Sequence, residues 1–488
     1  MLLTIEKLIY GGDGLARLPA RSPSDDRGRG KAVFVPLVLA GEEIEAALTE
    51  QKPGFARAHA ESIIEASPHR VPPDCEYFGR CGGCHYQHAS YEHQLEIKKE
   101  ILRENLRRIA KLELQTQIEV HPSPPWNYRN RSRLQLQTKP TFAAGYFKLG
   151  SHELMPVEQC PVSSPLINRG IAALWQIGRA KEAAGQALPG LHEIEFFANA
   201  DDTQLLAELS CSAGTRRADA RGFVEELRAT LPEILGVVAF RVAQANKEKP
   251  NRAQSSKAHS TVRTEPAPLE PLLTNGERYL TYRTAHASHR VSSGAFFQTN
   301  RHLTDELVKI VTEGRSGELA LDLYAGVGLF STALAGDFRH IVSVESSQLS
   351  AGDLQYNLPS NGKAIQAATG QYLSRSWDRS PRHDSPPHGP PRQGSDTPAP
   401  TGEGSVASSF PTPDLVVVDP PRSGLGEPVA RSLTSLGAPR VTYVSCDPAT
   451  LARDLIPLLA AGYRVEQAHL VDLFPQTYHL ESVLHLVR

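Results

Sequence analysis

From about Val291 to its end the chain alternates helical stretches with short apolar runs: LALDLY, HIVSVE, DLVVVD, VTYVSC, YRVEQAHLVD and SVLHLV. Runs of that length read as buried strands. Strands alternating with helices pack as an α/β fold, a doubly wound, Rossmann-like sheet. In such open sheets ligands bind at the carboxyl ends of the strands, so the residues that close each run are the first candidates for function. The alternation breaks over residues 375–413, where 9 Pro, 4 Gly and 7 Ser leave too little apolar surface to offset the ordering entropy. That segment is expected to be a disordered loop.

LALDLYAGVGLFSTALA reads as a strand, a glycine turn at Gly326 and Gly328, and a helix. Glycines there let the backbone approach a nucleotide-like ligand with no Cβ in the way. A lone G-x-G is a weak signal, shared with dinucleotide binders and with purely structural turns. Glu345 closes the next run about 20 residues on, where an acid accepts hydrogen bonds from a ribose diol. The chain has neither the third glycine of a pyrophosphate cradle nor a Gly-Lys-Ser/Thr loop at this turn. S-adenosylmethionine, an adenosine without pyrophosphate, therefore fits better than NAD or ATP. Asp419 and two prolines close DLVVVD, and Cys446 closes VTYVSC beside an Asp-Pro turn. A cysteine is by default a small buried hydrophobe; at a strand end, in line with the glycine turn and Asp419, Cys446 reads as a nucleophile.

Six motifs in order, SGAFFQTN (Ser293–Asn300), LDLYAGVGLF, SVE, VDPPRSGL, YVSCDPATLARD and FPQTYHLESV, resemble the RNA uracil-5-methyltransferase family over nearly all of residues 290–488. The resemblance implies a class I S-adenosylmethionine-dependent methyltransferase domain there. Within it Gln298, Tyr324, Glu345 and Asp419 would contact the cofactor or organise its pocket. Cys446 would be the nucleophile, and Glu481, in Y-H-L-E-S, the proton-abstracting base. The chain departs from the family pattern at Leu329, where a polar residue often follows the second glycine, and at Gln371, where an acid often follows the third strand. Both departures bear on cofactor affinity or adenine readout and leave the reaction centre untouched. The implied chemistry has a physical reason. Uracil C5 is a poor nucleophile, and a thiolate added at C6 creates an enolate that is nucleophilic at C5. A carboxylate must then remove the C5 proton so that the cysteine can leave.

Upstream, residues 1–67 read as short strands (LLTIEKLIY, KAVFVPLV, EEIEAAL and Ala56–Glu65) between turn signals such as GGDG and KPG. The spacing suits a β-barrel of oligonucleotide-binding type, or another small β-domain. Residues 68–289 form a central mixed α+β region. It opens with a helix expected over Tyr91–Leu112, with Leu95, Leu102, Leu106 and Ile109 on its apolar stripe. A polar, basic insertion follows at 246–266. Cys75, Cys81, Cys84 and Cys160 make C-x5-C-x2-C plus a distant fourth cysteine. Structural zinc sites usually pair two close cysteines with another close pair, so this pattern suits a four-iron, four-sulfur (4Fe–4S) cluster better. The same spacing occurs in the rRNA-directed members of the resembled family, and the N-terminal barrel resembles their TRAM module. Cys211 has no partner at motif spacing and is expected in the core. Arg129, Arg131 and Arg133 alternate, which on a strand puts them on one side, either as a phosphate-binding row or as an ordinary exposed face.

Composition sets the outer bounds. The chain has 488 residues, 40% hydrophobic and 22% charged, which fits a soluble protein of two to four domains and excludes a wholly disordered one. A formal charge of −2 means that any RNA surface is a local patch. No apolar run reaches a membrane span, and Glu6 and Lys7 interrupt what would be a signal core, so a cytoplasmic protein is expected. With only six cysteines, a disulfide scaffold is not indicated. The expected partner is structured RNA, 23S rRNA ahead of tRNA, with no obligate protein partner. The competing functions are a tRNA 5-methyluridine enzyme, a 5-methylcytidine enzyme and a non-catalytic iron–sulfur RNA-binding protein. Cytidine enzymes typically place a cysteine after a proline at the fourth strand, where this chain reads Asp-Pro-Pro-Arg.

Overall fold

The computed structural model describes residues 1–18, 30–186, 188, 190–241, 271–377 and 411–488, with the side chains of 375–377 left out. The insertion at 246–266 lies outside the described residues, as do 378–410 within the expected loop. Residues 375–377 instead complete a helix.

The first six strands are β1 (Leu2–Thr4), β2 (Lys7–Leu8), β3 (Asp13–Arg17), β4 (Ala32–Pro36), β5 (Glu43–Gln51) and β6 (Phe55–Glu65). They form one sheet in the order β1-β5-β6-β4-β3-β2. Its two edge strands come from one run of chain, residues 2–8. Between them Ile5 donates to the Glu42 carbonyl and Glu6 to the Leu15 carbonyl. The sheet therefore curls until its edges meet. Strand β3, just after the Gly11–Gly12 turn, is not among the runs picked out by apolar pattern.

α1 (Tyr91–Ile109) ends three residues before the expected Leu112. Lys111 takes φ 55°, and the Leu112 N–H bonds back to the Leu106 carbonyl at 3.1 Å, a left-handed helix stop. The buried face is Ile97, Ile101, Leu102 and Leu106 together with Gln94 and Lys98. Ile109, expected on the apolar stripe, is 37% exposed, and Leu95 is only half-buried. β7 (Ile118–His121) follows.

A second sheet comprises β8 (Arg131–Gln137), β9 (Ala143–Phe147), β10 (Leu154–Pro156), β11 (Leu191–Ala198), β12 (Leu205–Cys211), β13 (Ile234–Arg241) and β14 (Pro271–Gly276). Its order is β10-β9-β8-β11-β12-β13-β14. α2 (Pro165–Ala183) and α3 (Arg217–Thr230) pack on it over a core that includes Ile171, Leu174, Phe196, Leu209, Phe223 and a fully buried Cys211.

The C-terminal part begins with a hairpin, β15 (Tyr279–Arg283) and β16 (Ser288–Ser292), and continues through α4 (Thr304–Thr312), β17 (Gly317–Leu323), α5 (Leu329–Leu334), β18 (Phe338–Glu345), α6 (Gln348–Asn357), β19 (Gly362–Gln366), α7 (Thr369–Trp377), β20 (Leu415–Val418), α8 (Glu427–Leu436), β21 (Arg440–Ser445), α9 (Pro448–Ala460), β22 (Arg464–Val471) and β23 (Glu481–Val487). The sheet order is β19-β18-β17-β20-β21-β23-β22-β7. The strands from β19 to β21 run parallel, and β23 is antiparallel to both neighbours. This is the doubly wound α/β sheet, with one addition. Its far edge is β7, which comes from the stretch read as central, and α1, the N-terminal sheet and this sheet share one hydrophobic core.

Candidate active site

Strand register brings five of the candidate residues to one edge of the C-terminal sheet. Leu323 lies beside Val344 on one side and Val418 on the other. The next residues along, Tyr324, Glu345 and Asp419, therefore sit at adjoining carboxyl ends. Across β21, Ser445 is paired with Ser482 in antiparallel register, which sets Cys446 opposite Glu481.

The turn after β17 is tight. Tyr324 takes φ 64°, Gly326 55° and Gly328 96°, a left-handed succession that side chains beyond glycine rarely adopt. A Cβ on Gly328 would come within 2.9 Å of the Leu354 side chain. Glu345 fastens this turn to the next strand, accepting from Gly326 N–H at 2.9 Å and Ser347 N–H at 2.7 Å. Asp322, fully buried on β17 two residues before Tyr324, accepts from the Ser331 hydroxyl, while its other carboxylate oxygen has no partner. Burial, with Glu345 adding, pushes Asp322 up to about 7. Leu329 is buried at the start of α5, and Gln371 is exposed on α7. Gln298 is buried on the loop before α4, where its carbonyl accepts from Asn130 Nδ2 at 3.1 Å. It shares no hydrogen bond with Cys446 or Glu481 among the described residues.

Asp419, Cys446 and Glu481 form a trio in which each group holds its proton more tightly than usual. Burial and then the neighbouring Asp322 push Asp419 up to about 7. Burial, then Glu481 and Asp419, push the Cys446 thiol up to about 12, with the Arg422 guanidinium opposing. Glu481 is only 4% exposed, and burial followed by Asp419 raises it well above the usual carboxylate range. The loop that carries Asp419 and Arg422 is pinned from below. Asp454 on α9 accepts from Leu425 N–H at 2.6 Å and from the Tyr443 hydroxyl at 2.9 Å.

Several residues that hold this site have no local sequence signature. The Tyr10 hydroxyl, from the curled N-terminal sheet, donates to the Cys446 carbonyl at 3.0 Å, and its ring meets Tyr478 edge-on at 5.6 Å. Lys98 and Asp472 are both 0% exposed and form a 2.6 Å ion pair, and Lys98 also donates to the Phe474 carbonyl. The Gln476 carbonyl accepts from His85 and Tyr86 N–H, and the Gln476 side chain accepts from Gln94. The segment leading into Glu481 is thus clamped by α1 and by the loop after Cys84. One signal was available in the sequence: Gln94 and Lys98 interrupt the apolar face of α1 at i, i+4 spacing.

Cys75, Cys81, Cys84 and Cys160 surround one cavity of about 200 Å³, shared with Gln87, Arg129 and Tyr146. Burial first and then the neighbouring Cys160 push Cys84 up to about 12; burial, with Cys160 and Cys75 adding, pushes Cys81 up to about 11. Arg129 is the nearby cation that opposes this at Cys84. The alternating arginines are accordingly not a free phosphate row. Arg129 lines the cysteine cavity, Arg131 lies over the Phe197 ring at 4.2 Å, and Arg133 is paired with Glu195 at 2.8 Å. No helix among the described residues is long and apolar enough to cross a membrane.

The family of tRNA (uracil-5-)-methyltransferases matches over residues 408–488, the stretch that carries Asp419, Cys446 and Glu481. A Streptomyces avermitilis protein described as an uncharacterized RNA methyltransferase is 30% identical, covering 98% of this chain and 96% of its own length. The Pseudomonas fluorescens 23S rRNA (uracil(1939)-C(5))-methyltransferase RlmD is 29% identical, covering 99% of this chain and 92% of that protein. A solved structure, Pyrococcus abyssi tRNA (uracil-54, C5)-methyltransferase in complex with S-adenosyl-L-homocysteine, shares the fold over 100% of both chains, with a TM-score of 0.65 at 22% identity. The sheet and the relatives together define an S-adenosylmethionine-dependent RNA methyltransferase. Within that class the chain belongs to the RNA (uracil-5-)-methyltransferase family.

Proposed function

We propose that the protein methylates C5 of a uridine in structured RNA, with 23S rRNA as the target, through a covalent bond between Cys446 and uracil C6. The observation that carries this reading is the β21–β23 register, which faces a cysteine with a buried carboxyl group across one strand pair. Resemblance to RlmD over almost the whole chain supports rRNA, as do the curled N-terminal sheet, read as a TRAM-like module, and the four-cysteine cavity.

The residues present suit the cofactor. Asp322 keeps an unpartnered buried oxygen, and Asp419 has no side-chain hydrogen bond among the described residues. Both lie at the strand ends where a cation is favoured. S-adenosylmethionine would be held by Gln298, Tyr324, Glu345 and Asp419 and, when bound, would supply an electrophilic methyl group and be left as the neutral thioether, S-adenosylhomocysteine. Cys446 Sγ, as thiolate, adds to C6 of a flipped-out uracil, and the C5–C6 electron pair moves toward the C4 oxygen. The enolate's C5 then takes the methyl group. Glu481 accepts the C5 proton, the C5–H electrons re-form the C5–C6 double bond, and the Sγ–C6 bond breaks. Arg422, facing both Cys446 and Glu481, favours their anionic forms. Flipping the base costs a few kcal/mol, offset by contacts that the pocket makes with it.

The test is methyl transfer from labelled S-adenosylmethionine to transcribed 23S rRNA and to tRNA, followed by mass spectrometry of the nucleosides. The expected product is 5-methyluridine in rRNA alone. Methylation of tRNA alone would reverse the target and leave the chemistry standing, whereas 5-methylcytidine would overturn the chemistry.

For the cysteine cavity the proposal is a 4Fe–4S cluster with a structural role. A single zinc would draw four sulfurs to within about 3.8 Å of one another, given bonds of about 2.3 Å. The four cysteines line a cavity of about 200 Å³, which supports a larger group. Anaerobically purified protein is expected to carry about one cluster per chain. Cys75→Ser should lose it and lower the folded yield, while Cys211→Ser, remote in the core, should keep it. Stoichiometric zinc without iron would show the proposal wrong.

A further inference from the structure

At the far edge of the eight-stranded sheet, β7 pairs in parallel with β22, with Glu119 beside His469 and His121 beside Val471. Side chains alternate along a strand, so Glu119, His121 and His469 project from one face. On that face His121 Nε2 lies 3.1 Å from His469 Nδ1, and Glu119 Oε2 lies 3.3 Å from the same nitrogen. From α4, Glu306 Oε1 stands 3.0 Å from His121 Nδ1.

We propose that this edge is a binding site for a divalent transition-metal ion of the zinc type, with Glu119, His121 and His469 as ligands and Glu306 orienting the His121 ring. The first argument is geometric. Bonds of about 2.0–2.1 Å to nitrogen and oxygen give a tetrahedron with edges of about 3.3 Å, close to the two separations observed. The three ligand atoms all lie within 4.8 Å of one another.

The second argument is proton accounting. With Glu306 ionised, His121 carries its proton on Nδ1 and turns a lone pair inward at Nε2. A single N–H at His469 Nδ1 must then serve both that lone pair and the Glu119 carboxylate. An ion satisfies all three donors at once. The Glu306–His121 contact is the carboxylate–histidine pairing that fixes tautomer and ring orientation in metal sites.

Charge also permits it. The nearby cations have carboxylates of their own, Lys309 with Glu313 at 3.9 Å and Arg315 with Glu466 at 3.8 Å, so the local balance is acidic. Glu119 is 68% exposed in its side chain, which leaves a side open for water as a further ligand. The ion would fasten β7, a four-residue edge strand, to the catalytic sheet. Its role is to hold this edge, which lies two strand spacings from Glu481, because Val471 is in register with both His121 and Glu481.

The experiment is a Co²⁺ titration of the protein with its cysteine site loaded, in chelator-treated buffer. Visible ligand-field absorption should appear with one Co²⁺ per chain, be displaced by Zn²⁺, and accompany a rise in the thermal midpoint. His469→Ala should abolish the bands. Glu306→Gln should weaken binding by about 10- to 100-fold. Glu119→Gln, on an exposed side chain that cannot disturb the core, should weaken binding while leaving methyl transfer and the circular dichroism spectrum unchanged. The proposal is overturned if wild type binds Co²⁺ no more tightly than His469→Ala and Glu119→Gln. It also fails if the bands are those of cysteine thiolate ligands.

Discussion

Cys446→Ala is expected to bind RNA and S-adenosylmethionine as wild type does and to transfer no measurable methyl group. Without the Sγ–C6 bond, C5 never gains enolate character, and the methyl acceptor is an unactivated carbon. Filter binding and a single-turnover transfer assay separate the two quantities. Retained methylation of uridine C5 would remove Cys446 from the mechanism. The same residue gives a pH signature in the cofactor-free enzyme. A free thiol titrates near 8.5, leaving a few per cent as thiolate at neutral pH. Burial and the Glu481 and Asp419 carboxylates push Cys446 up to about 12, so its ionised fraction at pH 7 is far smaller. Alkylation of Cys446 by iodoacetamide should therefore be slow at pH 7 and still rising with pH beyond 9. A rate that levels off near pH 8.5 would mean that the thiol does not feel this environment.

How much of this was legible in the sequence depends on the range of the interaction that places each residue. Asp419 and Cys446 close apolar strand runs, and in a parallel α/β sheet the end of a strand is a defined location, so local pattern was enough. Glu481 does not close a run; it opens one. Its position opposite Cys446 depends on β23 inserting antiparallel between β21 and β22, which only the family resemblance could anticipate. β7 is four residues long, too short for any periodicity, and its place beside β22 follows from long-range pairing. Tyr10 acts across 436 residues of sequence, and although Lys98 interrupts the apolar face of α1, its partner Asp472 lies 374 residues away, beyond any local rule. The arginine row shows the opposite failure. Alternation correctly put Arg131 and Arg133 on one face of β8, but β11 carries Glu193 and Glu195 with the same alternation, and register sets Glu195 beside Arg133. The positive row is thereby answered within its own sheet, and the two-residue period alone does not reveal its partner strand.

Glu481→Gln separates the halves of the reaction that Cys446→Ala removes together. Addition at C6 and methyl transfer need the thiolate and the enolate, and neither needs a base at C5. Elimination does, and an amide keeps the size of the side chain while offering no oxygen of comparable basicity. The variant is therefore expected to accumulate a covalent protein–RNA adduct that already carries the new methyl group. The adduct would appear as a slow-migrating band that survives denaturation and requires RNA, S-adenosylmethionine and Cys446 together. The substitution also makes a distinct prediction about ionisation, because Glu481 is the first charged neighbour raising the Cys446 thiol after burial itself. Removing that carboxylate should move the alkylation profile of the cofactor-free enzyme to lower pH, so adduct formation is not slowed by a less reactive nucleophile. Arg422, which opposes the raised ionisation of both groups, then has one anion fewer to stabilise and acts on the thiolate alone. Wild-type turnover in Glu481→Gln would assign proton removal to another group. Absence of any adduct would place Glu481 before addition, where it would be needed to generate the thiolate.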